Sequence, residues 1–304
     1  MSLTSKLLAG ERALDRLSVS QQRLLLRAYS STLKEIRGLI ATGYARYGGE
    51  YSDWVKYGRL ASLEKEISRE IAKLTGKNAV TLKKGLGETF MESYYRTAYA
   101  LESTVRARLG FGQLNPKTIE AAIINPLDRV GFLARNRDNQ ALLTRQLKEQ
   151  LTQGLIRGES YQSTALRIKQ RMDVGATNVL RIVQTENHRC QTLGRLASFD
   201  QAEEAGVIMV RVWVATLDGN TRDEHQDMDG VEANEDNLFP SPIGLVEGPG
   251  LSGDPSFDIN CRCTVRGEIK DYEPKLRRAR EVEGERGELI QYKTYNQWKD
   301  GRIN

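Results

Sequence analysis

The stretch "VIMVRVWVATLDGNTR" at Val207–Arg222 decides how this chain is read. Val210, Val212 and Val214 alternate with Arg211 and Trp213, a period of two that predicts a strand, and Asp218-Gly219 supplies the turn that ends it. Up to about residue 205 the period is helical almost throughout. Leu25, Tyr29, Leu33, Ile36 and Ile40 recur at spacings of three and four, and so do Leu60, Leu63, Ile67, Ile71 and Leu74. Leu86, Phe90, Tyr94, Ala98, Leu101, Val105 and Leu109 form a third stripe. Gly76 and Gly110 are the predicted stops after the second and third helices.

Asn115-Pro116 opens a shorter helix, which Asn125-Pro126 ends, and Leu143, Leu147 and Leu151 mark another. Ser160 is a cap for "YQSTALRIKQRM", and Thr177 for "NVLRIVQTENHRCQTLGRLASF". A one-sided helix must bury its stripe, so successive ones joined by short turns imply a bundle. The expected fold class is α+β, with a mainly helical N-terminal two-thirds followed by a small α+β domain with a short sheet.

Downstream of the strand, Thr221 and Glu224 read as a capping box, which predicts a short helix over "TRDEHQDMDG" that stops at Gly230. "FPSPIGLVEGPGLSGDP", with four prolines, reads as a long loop. After it, "PSFDINCRCTVRG" at residues 255–267 carries two of the three cysteines. In a strand Cys261 and Cys263 share a face and Arg262 points away. The two thiolates with His225 make a zinc-type donor set, with Asp223, Asp227, Asp229, His188 or water as the fourth ligand. The alternative is two small residues in a core, with His225 tying a loop to the sheet. The acidic cluster around His225 invites Mg²⁺ and water activation, although acidic residues in a first turn are favoured by the helix dipole alone. A cysteine nucleophile paired with a histidine is a third possibility, but it needs an electropositive, partly exposed thiol.

Composition narrows the classes. The chain has 304 residues, 39% hydrophobic and 28% charged, with a formal charge of +5 and a pI near 9.0. The longest apolar runs are too short to cross a bilayer. Three cysteines, Cys190, Cys261 and Cys263, do not make a disulfide framework. The N-terminus lacks the pattern of a secretion signal, so synthesis in a cytoplasm is expected. No phosphate loop, dinucleotide fingerprint or nucleophile elbow is present.

Four pieces in order, "RIVQTENHR" (Arg181–Arg189), "VRVWVATLDGNTRDEHQDMDG" (Val210–Gly230), a proline-bearing loop and "INCRCTV" (Ile259–Val265), resemble the phage Mu F-like family of minor head, or head morphogenesis, proteins. The resemblance spans about residues 160–268. The family's recurrent positions fall on Thr185, Glu186, Trp213, Asp218, Thr221, Arg222, His225, Asp229, Gly230, Cys261, Arg262 and Cys263. It implies a low-copy virion component of a tailed phage, made in the bacterial host cytoplasm, with the portal protein and a capsid or scaffolding protein as partners. Contact with packaged double-stranded DNA is also implied, and no membrane. On this reading residues 1–112 are a helical docking region, 113–205 a helical segment leading into the family domain, 206–270 its small α+β core, and 271–304 a charged arm with Tyr292, Tyr295 and Trp298 near its end.

Arg171, Arg181, Arg189 and Arg195 could form a phosphate-facing patch, against the plainer reading of a solvated helix face. The competing function is a metal-dependent enzyme acting on nucleic acid, with His225 as general base or metal ligand and Glu186 or Asp229 as acid partner. A toxin-like domain of ADP-ribosyl-transfer type, centred on Glu186, is weaker because no cofactor fingerprint accompanies it.

Overall fold

Helices fill most of the chain in the computed structural model, which describes residues 3–124, 131–216 and 220–269. They are α1 (Leu3–Tyr47), α2 (Tyr51–Val55), a 3-10 turn at Lys56–Gly58, α3 (Arg59–Val105), α4 (Pro116–Ile124), α5 (Phe132–Ile156) and α6 (Tyr161–Glu204). The remainder holds β1 (Met209–Val214), α7 (Asp223–Asp227), β2 (Phe239–Ser241), β3 (Gly244–Val246), α8 (Pro255–Asp258) and β4 (Thr264–Ile269). The α+β expectation holds.

Two predicted helix boundaries do not exist. α3 runs through Gly76, because Leu74, Leu82 and Leu86 are all buried on a continuing stripe. One mid-helix glycine costs only about 1 kcal/mol relative to alanine, which that burial outweighs. α6 likewise runs through Thr177, whose hydroxyl donates back to the carbonyl of Asp173 at 3.0 Å instead of capping. At Ser160 the expected cap is present, its Oγ accepting from the amide of Ser163. The third helix stops at Val105, ahead of Gly110. Arg106 turns left-handed there, and the Glu102 carboxylate accepts from the amide of Leu109. Asn125-Pro126 lies outside the described residues.

The chain divides into two compact units, one drawn from Met1–Ser18, Gly85–Arg129 and Thr185–Asn304, the other from Val19–Lys84 and Val130–Gln184. The second is purely helical among its described residues. Its core gathers Leu25, Ile36, Ile40, Ile67, Ile71, Leu147, Leu151, Ile168 and Val179. A buried amide fastens three of its helices: Asn139 donates to the Tyr29 hydroxyl at 3.1 Å and to the carbonyl of Gly175 at 3.0 Å.

In the first unit α3 and α6 meet along a seam of small residues. Ser93 donates to the carbonyl of Gln191 and Ser198 to that of Tyr94. A Cβ on Gly194 would stand 2.4 Å from the carbonyl oxygen of Phe90. Beside the seam, β1 pairs antiparallel with β4, Met209 opposite Ile269 and Val214 opposite Thr264. The other edge of β1 takes the chain at residues 230–233, through Trp213 N to Val231 O and Ala233 N to Arg211 O. β2 and β3 form a hairpin inside the stretch expected to be a loop.

The strand is where its period placed it, but its buried face is the less expected one. Met209, Arg211 and Trp213 are buried, with Val212, while Val210 and Val214 are half-exposed. Arg211 is tolerated inside because its guanidinium reaches Asp200 at 2.5 Å and Glu203 at 2.7 Å.

Candidate functional site

The site lies wholly within the first unit and is assembled from three short pieces that converge on Trp213. The first is α7 with its flanks. Its amino end is set by Arg222 in extended backbone, because the Thr221 hydroxyl donates to the carbonyl of Thr216 and does not cap as the sequence predicted. Gly230 ends the segment with φ of 82°, its amide donating to the carbonyl of Trp213. Asp229 accepts from the amide of Ala215 at 2.8 Å.

The second piece is α8, capped by Asp254, which accepts from the amide of Ser256. Arg222 binds it to α7 by donating to the carbonyl oxygens of Phe257 and Ile259. Asp258 is fully buried, accepts from the amides of Ser252 and Gly253, and has its carboxyl pushed up by that burial. The third piece is Cys261-Arg262-Cys263, which precedes β4 and is not part of it. Its pattern still alternates as expected, both thiols buried and Arg262 exposed, and the Thr216 hydroxyl donates to the carbonyl of Arg262 at 2.7 Å.

Between these pieces His225, Cys261 and Cys263 meet, with only 2%, 5% and 1% of their surfaces exposed. His225 Nδ1 is 3.3 Å from Cys263 Sγ and 3.5 Å from Cys261 Sγ, and all three donor atoms lie within 4.8 Å of one another. A hydrogen bond from Cys261 holds Cys263 well below the usual thiol range, to about 4, aided by His225, while the same bond and burial push Cys261 up. The His225 ring stacks on Phe257 at 4.2 Å between centroids and meets Trp213 edge-on at 6.0 Å. Its Nε2 is buried with no hydrogen-bond partner among the described residues. His188, on α6, is held by burial at about 4.

Other predicted residues go elsewhere. Among the described residues no carboxylate lies within this cluster, and Asp223, Asp227 and Asp229 are exposed. Glu186 does not face His225 as an acid partner, being buried against Arg189 at 3.0 Å. Arg189 and Arg195 are not a phosphate-facing surface. Both are buried, Arg195 pairing with Glu11 at 2.7 Å and donating to the carbonyl of Val265. Arg181 is exposed and Arg171 half-exposed. Thr185 is buried. Asp218 and the arm at 271–304 lie outside the described residues.

Sequence reading missed Arg211, whose signal was a charge inside an apolar alternation. It also missed a cleft of about 1070 Å³ lined by Lys117, Glu120, Ile124, Leu193, Asp200 and Arg211 among others, residues of α4, α6 and β1 that no local pattern brings together.

Comparison with known proteins gives the following. The family described as phage Mu protein F like protein matches residues 145–266. The minor head protein GP7 of Bacillus phage SPP1 is 31% identical over 295 residues, 95% of this chain and 95% of its own length. The NAD(+)–arginine ADP-ribosyltransferase EFV of Enterococcus faecalis is 28% identical over 253 residues, 83% of this chain and 51% of its own length. No solved structure matches the chain.

Proposed function

The chain belongs to the phage Mu protein F like family of head morphogenesis proteins, and from that premise we propose that it is a minor head protein that docks at the portal while the procapsid assembles. It stays in the virion beside the packaged DNA. The observation that carries this reading is the use to which the motif residues are put. Arg222 holds two carbonyls, Asp229 holds the amide of Ala215, Glu186 neutralises Arg189, and Trp213 fills the core. These are tasks of a fold that must persist in a particle, and none of them opens a reactive group to a substrate.

The enzyme reading is correspondingly poorer. A Cys-His pair this deeply buried has no approach for a nucleic acid, and Glu186 is already neutralised by Arg189. Nor does the ADP-ribosyltransferase favour it, since about half of that relative has no counterpart here and is long enough to hold the activity its name states. DNA contact rests on the net positive charge and on outward-facing cations such as Arg181.

The test is reconstitution with portal, scaffolding and major capsid proteins, followed by quantitative mass spectrometry of purified procapsids. A few copies per particle that vanish when the portal is omitted are expected; incorporation indifferent to the portal would defeat the docking claim. In a parallel gel assay, plasmid binding should fade as salt rises and leave the plasmid intact. Mg²⁺-dependent nicking abolished in His225→Ala would restore the enzyme.

A further inference from the structure

We propose that His225, Cys261 and Cys263 bind one zinc ion, which clasps α7 to the segment entering β4. Three donors of the right kind meet at one point. Zinc bonds of ~2.3 Å to sulfur and ~2.0–2.1 Å to nitrogen, at a tetrahedral angle, separate nitrogen from sulfur by about 3.5 Å. His225 Nδ1 stands 3.3 and 3.5 Å from the two sulfurs, with the three donors inside a 4.8 Å sphere of mutual distance. Imidazole with two thiolates is a borderline-soft set, suited to zinc and unsuited to Mg²⁺ or Ca²⁺.

Burial decides the role. A catalytic zinc keeps an open position toward substrate, whereas these donors are sealed beneath Phe257 and Trp213. A second imidazole, His188, lies outside the three-donor set but near enough for Cys263 and His225 to act on it electrostatically. His188 Nε2 is buried with no hydrogen-bond partner among the described residues, and its ring lies so close under Gly250 that a Cβ there would stand 3.0 Å from it. The coordination number is therefore one of the quantities the experiment reads.

The clasp also has mechanical work to do. His225 and Cys261 are 36 residues apart, and the chain between them is tied down by the pairing of residues 230–233 with β1, one short hairpin, the four-residue α8 and side-chain bonds to backbone. Closing a loop of that length by a single ion restricts the unfolded chain and adds the binding energy of the metal to folding.

The experiment uses the full chain, purified under reducing conditions with zinc supplied. Native mass spectrometry and elemental analysis should find one zinc per chain. Replacement by Co²⁺ should give the thiolate-to-metal charge-transfer absorption and intense visible bands of a tetrahedral site. Cys263→Ser should lower metal affinity by roughly tenfold or more, Cys190→Ser should leave metal content and spectrum unchanged, and His225→Cys should retain zinc with a shifted cobalt spectrum. A strong chelator should lower the Tm of the unmodified chain but not of Cys263→Ser. His188→Gln reads the fourth ligand: a changed cobalt spectrum assigns it to His188, an unchanged one to water, both within a zinc site. Folded chain that takes up neither metal, with a Tm indifferent to zinc and chelator, would overturn the proposal. So would the loss of two hydrogens in the intact mass, reversed by reductant, which would assign a Cys261–Cys263 disulfide.

Discussion

Arg222 shows how much a single side chain carries here. Its guanidinium spans two carbonyl oxygens, those of Phe257 and Ile259, which α8 leaves unpaired at its end. Arg222→Ala strands both, and at about 1–3 kcal/mol for a buried group left without a partner it should lower Tm measurably by calorimetry. Arg222→Lys offers a point charge in place of a planar fork and should recover only part of the loss. Glu186 is the counterpart case for a buried charge. Glu186→Ala leaves the Arg189 guanidinium 2% exposed and unneutralised. We expect a loss of about 3–5 kcal/mol in urea unfolding, most of it restored by the double variant with Arg189→Met.

At the scale of elements, two glycines on α3 and α6 have opposite prospects. Gly194 sits in the seam where the helices touch, and a methyl group there would collide with the backbone of Phe90. Gly194→Ala should cost about 1–3 kcal/mol or more, because backbone cannot step aside as a side chain can. Gly76 is exposed in mid-helix with open space around its Cα, so Gly76→Ala should raise stability by about 0.5–1 kcal/mol. The same glycine measures what was legible in the sequence. The stripes through Leu25–Ile40, Leu60–Leu74 and Leu143–Leu151 are apolar patterns at helical spacing and were read correctly, since such patterns state which face is buried. Where a helix ends is decided by whether the next turn also has something to bury, and Gly76 and Thr177 gave the local signal of a stop where burial continued. The site divided the same way. His225, Cys261 and Cys263 were marked by residue type, and the structure brings them together. The destination of Arg195 depended on a neighbour as distant in sequence as Glu11, which no spacing rule reaches, whereas Glu186 and Arg189 stand at the three-residue spacing of a helical ion pair and only their burial was hidden.

For the whole molecule the controlling quantity is charge. Forty-five basic against forty acidic side chains leave a balance of +5 and a pI near 9.0. Static light scattering at low ionic strength should therefore show self-association rising as pH is brought up from 7 towards 9, where mutual repulsion disappears, and relaxing again above it. A chain whose scattering were flat across that range would have its surface charge segregated into patches.

The pairing of β1 with β4 carries a consequence for how the protein is made. Val214 and Thr264 are opposite one another but fifty residues apart in the chain. At ordinary elongation rates the ribosome needs roughly 2.5–10 s to bridge that gap. For those seconds one edge of a valine-rich strand has emerged and its partner has not yet been synthesised. A message truncated anywhere in the interval yields a fragment with that edge permanently unpaired, the kind of edge that recruits other chains. Translation that stalls late is thus more hazardous for this protein than translation that stalls early.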